Sequence, residues 1–204
     1  MTYLQDTEYA ARNLIDLAMV EEREIDELWP ILQEAEAKLR AFQRDFESSD
    51  LHDDFSDQYV MAAFHRMARA QKELDPLRSK VDELRASMGA KQYAVRSICG
   101  ALLQIAKQGI SLVHGSRNAA PKGRLVGGRA LRDVIWEARN QAVHCEEGSF
   151  NASVTGLFGD LERAFGRKFD LSAHPQMSLA AEVVRVLGWQ DYDQYTRDLG
   201  ALGL

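Results

Sequence analysis

Arg139, Asn140 and His144 place a guanidinium, an amide and an imidazole within about one and a half turns of a helix. These are the groups with which a ribonuclease can work without a metal. An arginine stabilises charge building on a crowded phosphate, an amide positions a partner, and a histidine carries a proton near pH 7. Spacing alone is a weak signal. With eighteen arginines and five histidines in 204 residues, an arginine five places before a histidine is expected roughly 0.4 times from composition. Because the chain has only four asparagines, requiring one directly after the arginine lowers that to about 0.01. Arg167 and His174 form a looser pair, with Lys168 where the amide would be. They are separated by Asp170-Leu171-Ser172-Ala173, which reads as a loop ending at Pro175.

Helical context distinguishes the two pairs. From Arg129 to His144, Leu131, Val134, Ile135, Ala138 and Ala142 fall on one arc at about 100° per residue. Arg129, Arg132, Trp136, Arg139, Asn140 and His144 fall on the opposite arc, about 140° wide. Asn140 and His144 lie one turn apart on that face, and Glu146-Glu147-Gly148 supplies a helix stop. Any one of these polar residues would serve as ordinary solvated surface. An exposed tryptophan among arginines turns the set toward a contact surface.

The segment from Gly128 to His144 resembles the HEPN superfamily, whose members carry an arginine, usually a polar residue after it, and a histidine four to six residues further on. The resemblance covers about twenty residues. It implies an α-helical bundle, commonly dimeric, of a family rich in metal-independent endoribonucleases of toxin, defence and CRISPR-associated systems. Carried over by position, Arg139 and His144 are the catalytic pair and Asn140 the polar helper, with the motifs of two subunits meeting in one cleft. Neither a metal nor another cofactor is implied; RNA, a second copy of the chain, and an antitoxin or sensor protein are the implied partners. Some family toxins carry a modifiable tyrosine two places after the histidine. Here that place is Glu146, which sets that form of regulation apart from this chain.

Composition agrees with a helical protein. Four prolines, 46% apolar residues and long stretches without turn signals point to an all-α fold. No apolar run reaches the length of a membrane span, and Met1–Asp6 lacks the regions of a signal peptide. Cys99 and Cys145 have no motif spacing, so the expectation is a reducing, cytoplasmic setting with no zinc site. His52 and His65 likewise lack partners at metal-ligand spacing.

The net charge of −6 argues against indiscriminate nucleic-acid binding, but it hides an asymmetry. Residues 1–90 carry net −9, residues 91–139 net +7, and residues 140–204 net −4. The basic block includes Arg117, Lys122, Arg124, Arg129 and Arg132, candidate phosphate contacts, besides Arg139 itself. The glycine-rich and basic stretch Gly115–Gly128 reads as a loop able to touch RNA or as a simple linker; it lacks the P-loop spacing.

The expected organisation is a long helical hairpin over residues 1–88, followed by a HEPN-like helical core over 89–204. Helices are predicted near 5–47 (kinked or restarted at Pro30), 55–88 (with a break near Pro76) and 90–114. Asp45–Asp50 reads as a turn, and shorter helices are predicted near 153–167, 178–187 and 190–200. Val95, Ile98, Cys99, Leu102, Ile105, Ala106, Ile110 and Val113 are expected to face inward from the third of these. Phe150, Leu157, Phe158, Leu161, Phe165, Phe169 and Leu187 are expected to complete the core. The functional expectation is an endoribonuclease leaving 2′,3′-cyclic phosphate and 5′-hydroxyl ends. Its rival is a non-catalytic helical module that binds RNA, a nucleotide or a protein. A Cys145 nucleophile beside His144 is disfavoured, because adjacent helical positions diverge by about 100°.

Overall fold

The computed structural model describes residues 2–48 and 57–204. It is all-α, with two long N-terminal helices, α1 (Tyr3–Ser48) and α2 (Asp57–His114), and four shorter ones. These are α3 (Leu131–Val143), α4 (Ala152–Phe165), α5 (Ala180–Leu187) and α6 (Tyr192–Ala201). A two-residue strand pair, β1 (Leu125–Val126) and β2 (Arg129–Ala130), precedes α3. Among the described residues no helix is long and apolar enough to cross a membrane.

Both long helices run through their prolines. Pro30 lies inside α1 and Pro76 inside α2, and α2 also continues through Gly89, where a break was expected between two helices. A proline removes one amide donor and disturbs one turn. Side-chain packing on either side outweighs that here. Leu32 and Ala35 of α1 bury against Val81 and Met88 of α2, with Leu28, Leu39 and Leu84 around them. Arg85 donates to Glu36 and Lys91 to Glu24, so the two helices are antiparallel. The turn expected at Asp45–Asp50 is helical as far as Ser48; its last two residues and His52 lie outside the described residues, and His65 is exposed.

The chain forms two compact units, Arg23–Gln92 and a second made of Met1–Glu22 with Tyr93–Leu204. The first turns of α1 therefore belong with the C-terminal part, rather than with one hairpin over 1–88. In that unit the Tyr3 hydroxyl donates to the Ile105 carbonyl at 2.7 Å, and Ala11 and Ile15 are buried.

Helix α3 is the centre of this second unit. Its Leu131, Val134, Ile135 and Ala138 are fully buried, packed by α4 and α5. Burying each large aliphatic side chain contributes about 1.5–3 kcal/mol, so this stripe fixes the rotation of the helix. From α2, Val95, Cys99, Leu102, Leu103, Ala106 and Ile110 join the core; Ile98 and Ile105 are half-buried, and Val113, expected inside, is exposed. Leu157, Phe158, Leu161, Phe169 and Leu187 are buried as expected, whereas Phe150 is half-buried and Phe165 is 39% exposed.

Local signals start and stop these helices. The Asn151 side chain caps α4 by accepting from the Val154 amide at 2.9 Å, and Asp191 caps α6. Leu179 occupies the cap of α5, and the hydroxyl of Ser178 just before it accepts from the Ala180 amide at 3.3 Å. The stretch 115–128 is built rather than a linker. Gly127 and Gly128, at φ 55° and 81°, make the tight turn between β1 and β2, the conformation a two-residue hairpin of this hand needs. A side chain at Gly127 would also press on Phe165 and Leu161.

Candidate functional site

The last turns of α3 carry Arg139, Asn140 and His144. The helix proper ends at Val143. His144 is its C-cap, with φ −112° and ψ 17°, and its amide donates to the Asn140 carbonyl at 3.1 Å. Cys145–Glu147 then forms a 3₁₀ turn closed by Gly148 in the left-handed region. The expected Glu-Glu-Gly stop is present, and it leaves His144 at the helix terminus instead of within a turn.

His144 is half exposed and its Nδ1 lies 2.8 Å from Glu147 Oε1. A carboxylate can only accept, so Nδ1–H is the donor and Nε2 is the ring nitrogen without a partner among the described residues. Arg139 is half-buried. Its Nε donates to Gln104 of α2 and its Nη1 to Asn140 Oδ1 at 3.3 Å. The Asn140 amide in turn donates to Glu137 Oε2 at 3.2 Å, and Glu137 is also held by Arg117. Asn140 is thus tied to Arg139 through its side chain and to His144 only through its backbone.

Neutral amides hold Arg139, and this separates it from most of the basic block. Arg117 pairs with Glu137 and with Asp133 at 3.5 Å. Arg129 pairs with Asp160, which Arg163 shares. Arg124 makes two bonds to Asp198, at 2.7 and 2.8 Å, and one to the Leu187 carbonyl. Arg132 donates to the carbonyls of Asn118 and Ala120 and so ties down the stretch before the hairpin. Lys122 is exposed and makes no hydrogen bond or ion pair among the described residues. Of the five candidate phosphate contacts, Arg117, Arg129 and Arg132 line one hollow, shared with Asp133 and Glu137, while Lys122 and Arg124 lie outside it. Arg117, Arg124 and Arg129 pair with carboxylates, and Arg132, a structural strut, also lies 3.7 Å from Asp133.

Trp136 is half-buried, with Lys107 Nζ 4.5 Å from its ring centre. A shallow hollow of about 380 Å³ lies beside it, lined by Arg117, Trp136, Glu137 and Asn140. Cys145 is a poor nucleophile in this setting, because partial burial and then the neighbouring Glu146 push its thiol pKa up. Cys99 is buried in the core, and desolvation raises its thiol to about 12. Among the described residues no three His, Cys, Asp or Glu side chains converge as metal ligands would.

Comparison of the chain with protein-family models, characterised proteins and solved structures finds no match.

Four residues of the site were not singled out from sequence: Gln104, Glu137, Gln141 and Glu147. Two of them had a signal. Val134, Glu137, Ala138 and Gln141 stand at i, i+3, i+4 and i+7, so Glu137 and Gln141 lie on the buried stripe, and both are buried. Gln141 uses both ends of its amide, donating to the Met177 carbonyl at 2.8 Å and accepting from the Leu179 amide at 2.9 Å. It fastens the segment 177–179 to α3.

Proposed function

We propose that the chain is a metal-independent endoribonuclease of the toxin or defence type, working as a homodimer with Arg139 and His144 as its reacting groups. The observation that carries this reading is the contrast in partners. Arg139 is held by neutral amides and pairs with no carboxylate among the described residues, while His144, half exposed at the end of the same helix, has Nδ1 fixed by Glu147 and Nε2 without a partner among them.

In the reaction the ribose 2′-oxygen attacks phosphorus and the bond to the 5′-oxygen breaks. His144 Nε2 takes the proton from the 2′-hydroxyl in one subunit or, protonated, gives one to the departing 5′-oxygen from the other. Arg139 stabilises the charge gathering on the phosphate oxygens in the transition state, where such a group acts most strongly. The products are a 2′,3′-cyclic phosphate and a 5′-hydroxyl, and DNA, lacking the 2′-hydroxyl, is not cut. Asn140 orients Arg139. The resemblance to HEPN supports the dimer, and so does the angle of about 140° between Arg139 and His144 around the helix, which suits groups drawn from two chains to one phosphate.

That same angle favours a second reading, a helical module that binds RNA, a nucleotide or a protein without cutting. One experiment separates the two. Purified wild type and His144→Ala are incubated with structured cellular RNA in EDTA, and the new ends are analysed. Cleavage by wild type alone, leaving cyclic-phosphate and 5′-hydroxyl ends, is expected. RNA retained intact by both proteins would leave the binding module, and equal cutting by both would remove His144 from the chemistry.

A further inference from the structure

A cleft of the second unit lies beside the end of α3, lined from α2, from the turn after His144 and from the segment 176–178. Its volume is about 530 Å³, within the range of sites for small organic ligands, roughly 300–1,000 Å³. Arg96 lines it, half-buried, and makes no hydrogen bond or ion pair among the described residues. A guanidinium removed from much of its water without a partner favours an anion that can meet its planar fork. Two further donors line the same cleft. The Gln104 amide nitrogen has no acceptor among the described residues, its oxygen being taken by Arg139, and the Ser178 hydroxyl accepts from Ala180 but donates to nothing described. Ala142 and Met177 supply apolar wall, and the exposed Tyr93 ring stands among the lining residues. Glu146, exposed, is the one carboxylate among them.

The wall is preformed. Gln176 is the one non-glycine residue with positive φ among the described residues, at 56°, and its amide donates to the Glu146 carbonyl at 3.1 Å. Residues held in this sparsely used conformation concentrate at ligand sites. The buried Gln141 amide fixes the next residues of that wall.

We propose that this cleft binds a phosphate monoester of about mononucleotide size, with the phosphate on Arg96, Gln104 and Ser178 and the body against Ala142, Met177 and Tyr93. A phosphate dianion has three acceptor oxygens for three donor groups, which a carboxylate does not. The site does not depend on RNA cleavage. It touches the motif through one residue: Gln104 faces the ligand with its nitrogen while its oxygen supports Arg139.

Isothermal titration calorimetry of the full chain tests this, with uridine and adenosine 5′-monophosphates, ribose 5-phosphate and the unphosphorylated nucleosides. A 5′-phosphorylated trinucleotide and its 5′-hydroxyl form distinguish a free metabolite from the end of an RNA as the source of the phosphate. At least one monophosphate is expected to bind at least about tenfold more tightly than its nucleoside. Arg96→Ala and Arg96→Gln should each weaken binding by about tenfold or more. Ser97→Trp, which fills the cleft from an exposed helical position, should abolish it. Melting and circular dichroism confirm that the variants fold. Binding of no phosphorylated probe at millimolar concentration would overturn the proposal. So would nucleosides binding as well as their monophosphates, or Arg96→Ala binding as well as wild type.

Discussion

Two arginines of the basic block, Arg124 and Arg139, sit in clusters of opposite character. Arg124 reaches from the hairpin to Asp198, whose side chain is only 4% exposed and which also accepts from Trp189 Nε1 at 2.9 Å and Gln194 Nε2 at 3.0 Å. The ring of Trp189 packs edge-on against Tyr195, 4.9 Å between centres, and both are fully buried. Every bonding group of that carboxylate is engaged, and burial and ion pairing there are matched. Around Arg139 the partners are amides, the nearest carboxylate bond is one residue away through Asn140, and the neighbouring imidazole is open to water. The first cluster closes the fold. The second leaves a guanidinium without a carboxylate partner and an imidazole half exposed, which is the contrast on which the proposed site rests.

Removing Arg124 should have the largest effect. Arg124→Ala leaves the buried Asp198 carboxylate without its counter-ion; because Arg124 is itself 39% exposed, the cost should fall below the about 3–5 kcal/mol of fully buried pairs. Urea denaturation should show that loss. A variant that remains as stable as wild type but binds RNA more weakly would reverse the assignment and return Arg124 to the phosphate contacts expected from sequence.

Arg139→Gln should produce the converse pattern. It keeps an amide beside Gln104 and Asn140 and removes the charge. Cleavage should fall about 10²-fold or more, equivalent to about 2.7 kcal/mol of transition-state stabilisation, while stability changes by less than about 1 kcal/mol. Loss of activity together with several kcal/mol of stability would mean that Arg139 is a second structural tie and that the contrast with Arg124 fails.

Sequence patterning carried the helices and the motif further than it carried the charges. The stripe Leu131, Val134, Ile135 and Ala138 is periodic within one helix, so its burial is legible locally. The breaks expected at Pro76 and before residue 90 were not, because what carries α2 through them is packing on residues of α1 about fifty positions away. The partners of the arginines were hidden for the same reason. Asp198 is 74 residues from Arg124 and Asp160 is 31 from Arg129, and no local pattern pairs them. A net charge of +7 over residues 91–139 therefore overstates the field that a phosphate would meet, since Lys91, Arg124 and Arg129 pair with Glu24, Asp198 and Asp160 from the acidic blocks on either side.

The smallest effect lies in the loop that leads to the cleft wall, where a carboxylate is structural without being buried. Asp170 accepts from the Ser172 hydroxyl at 2.7 Å and the Ser172 amide at 2.9 Å, and these bonds, the hydroxyl foremost, hold its pKa below the ordinary 3.8. Between the depressed folded value and the ordinary unfolded one, the unfolded chain binds more protons. Stability then rises with pH across that window, is fully present above it, and is lost as pH falls through the folded value. Asp170→Asn keeps an acceptor oxygen for the Ser172 amide but does not titrate. The stability difference between wild type and Asp170→Asn, followed by urea denaturation, should be constant above about pH 5 and shrink below about pH 4. Because the group is exposed, the change should be small beside that of Arg124→Ala. A difference that widened toward acid would mean that protonated Asp170 is the form the fold prefers, and the loop would then owe its shape to Gln141 and Gln176 alone.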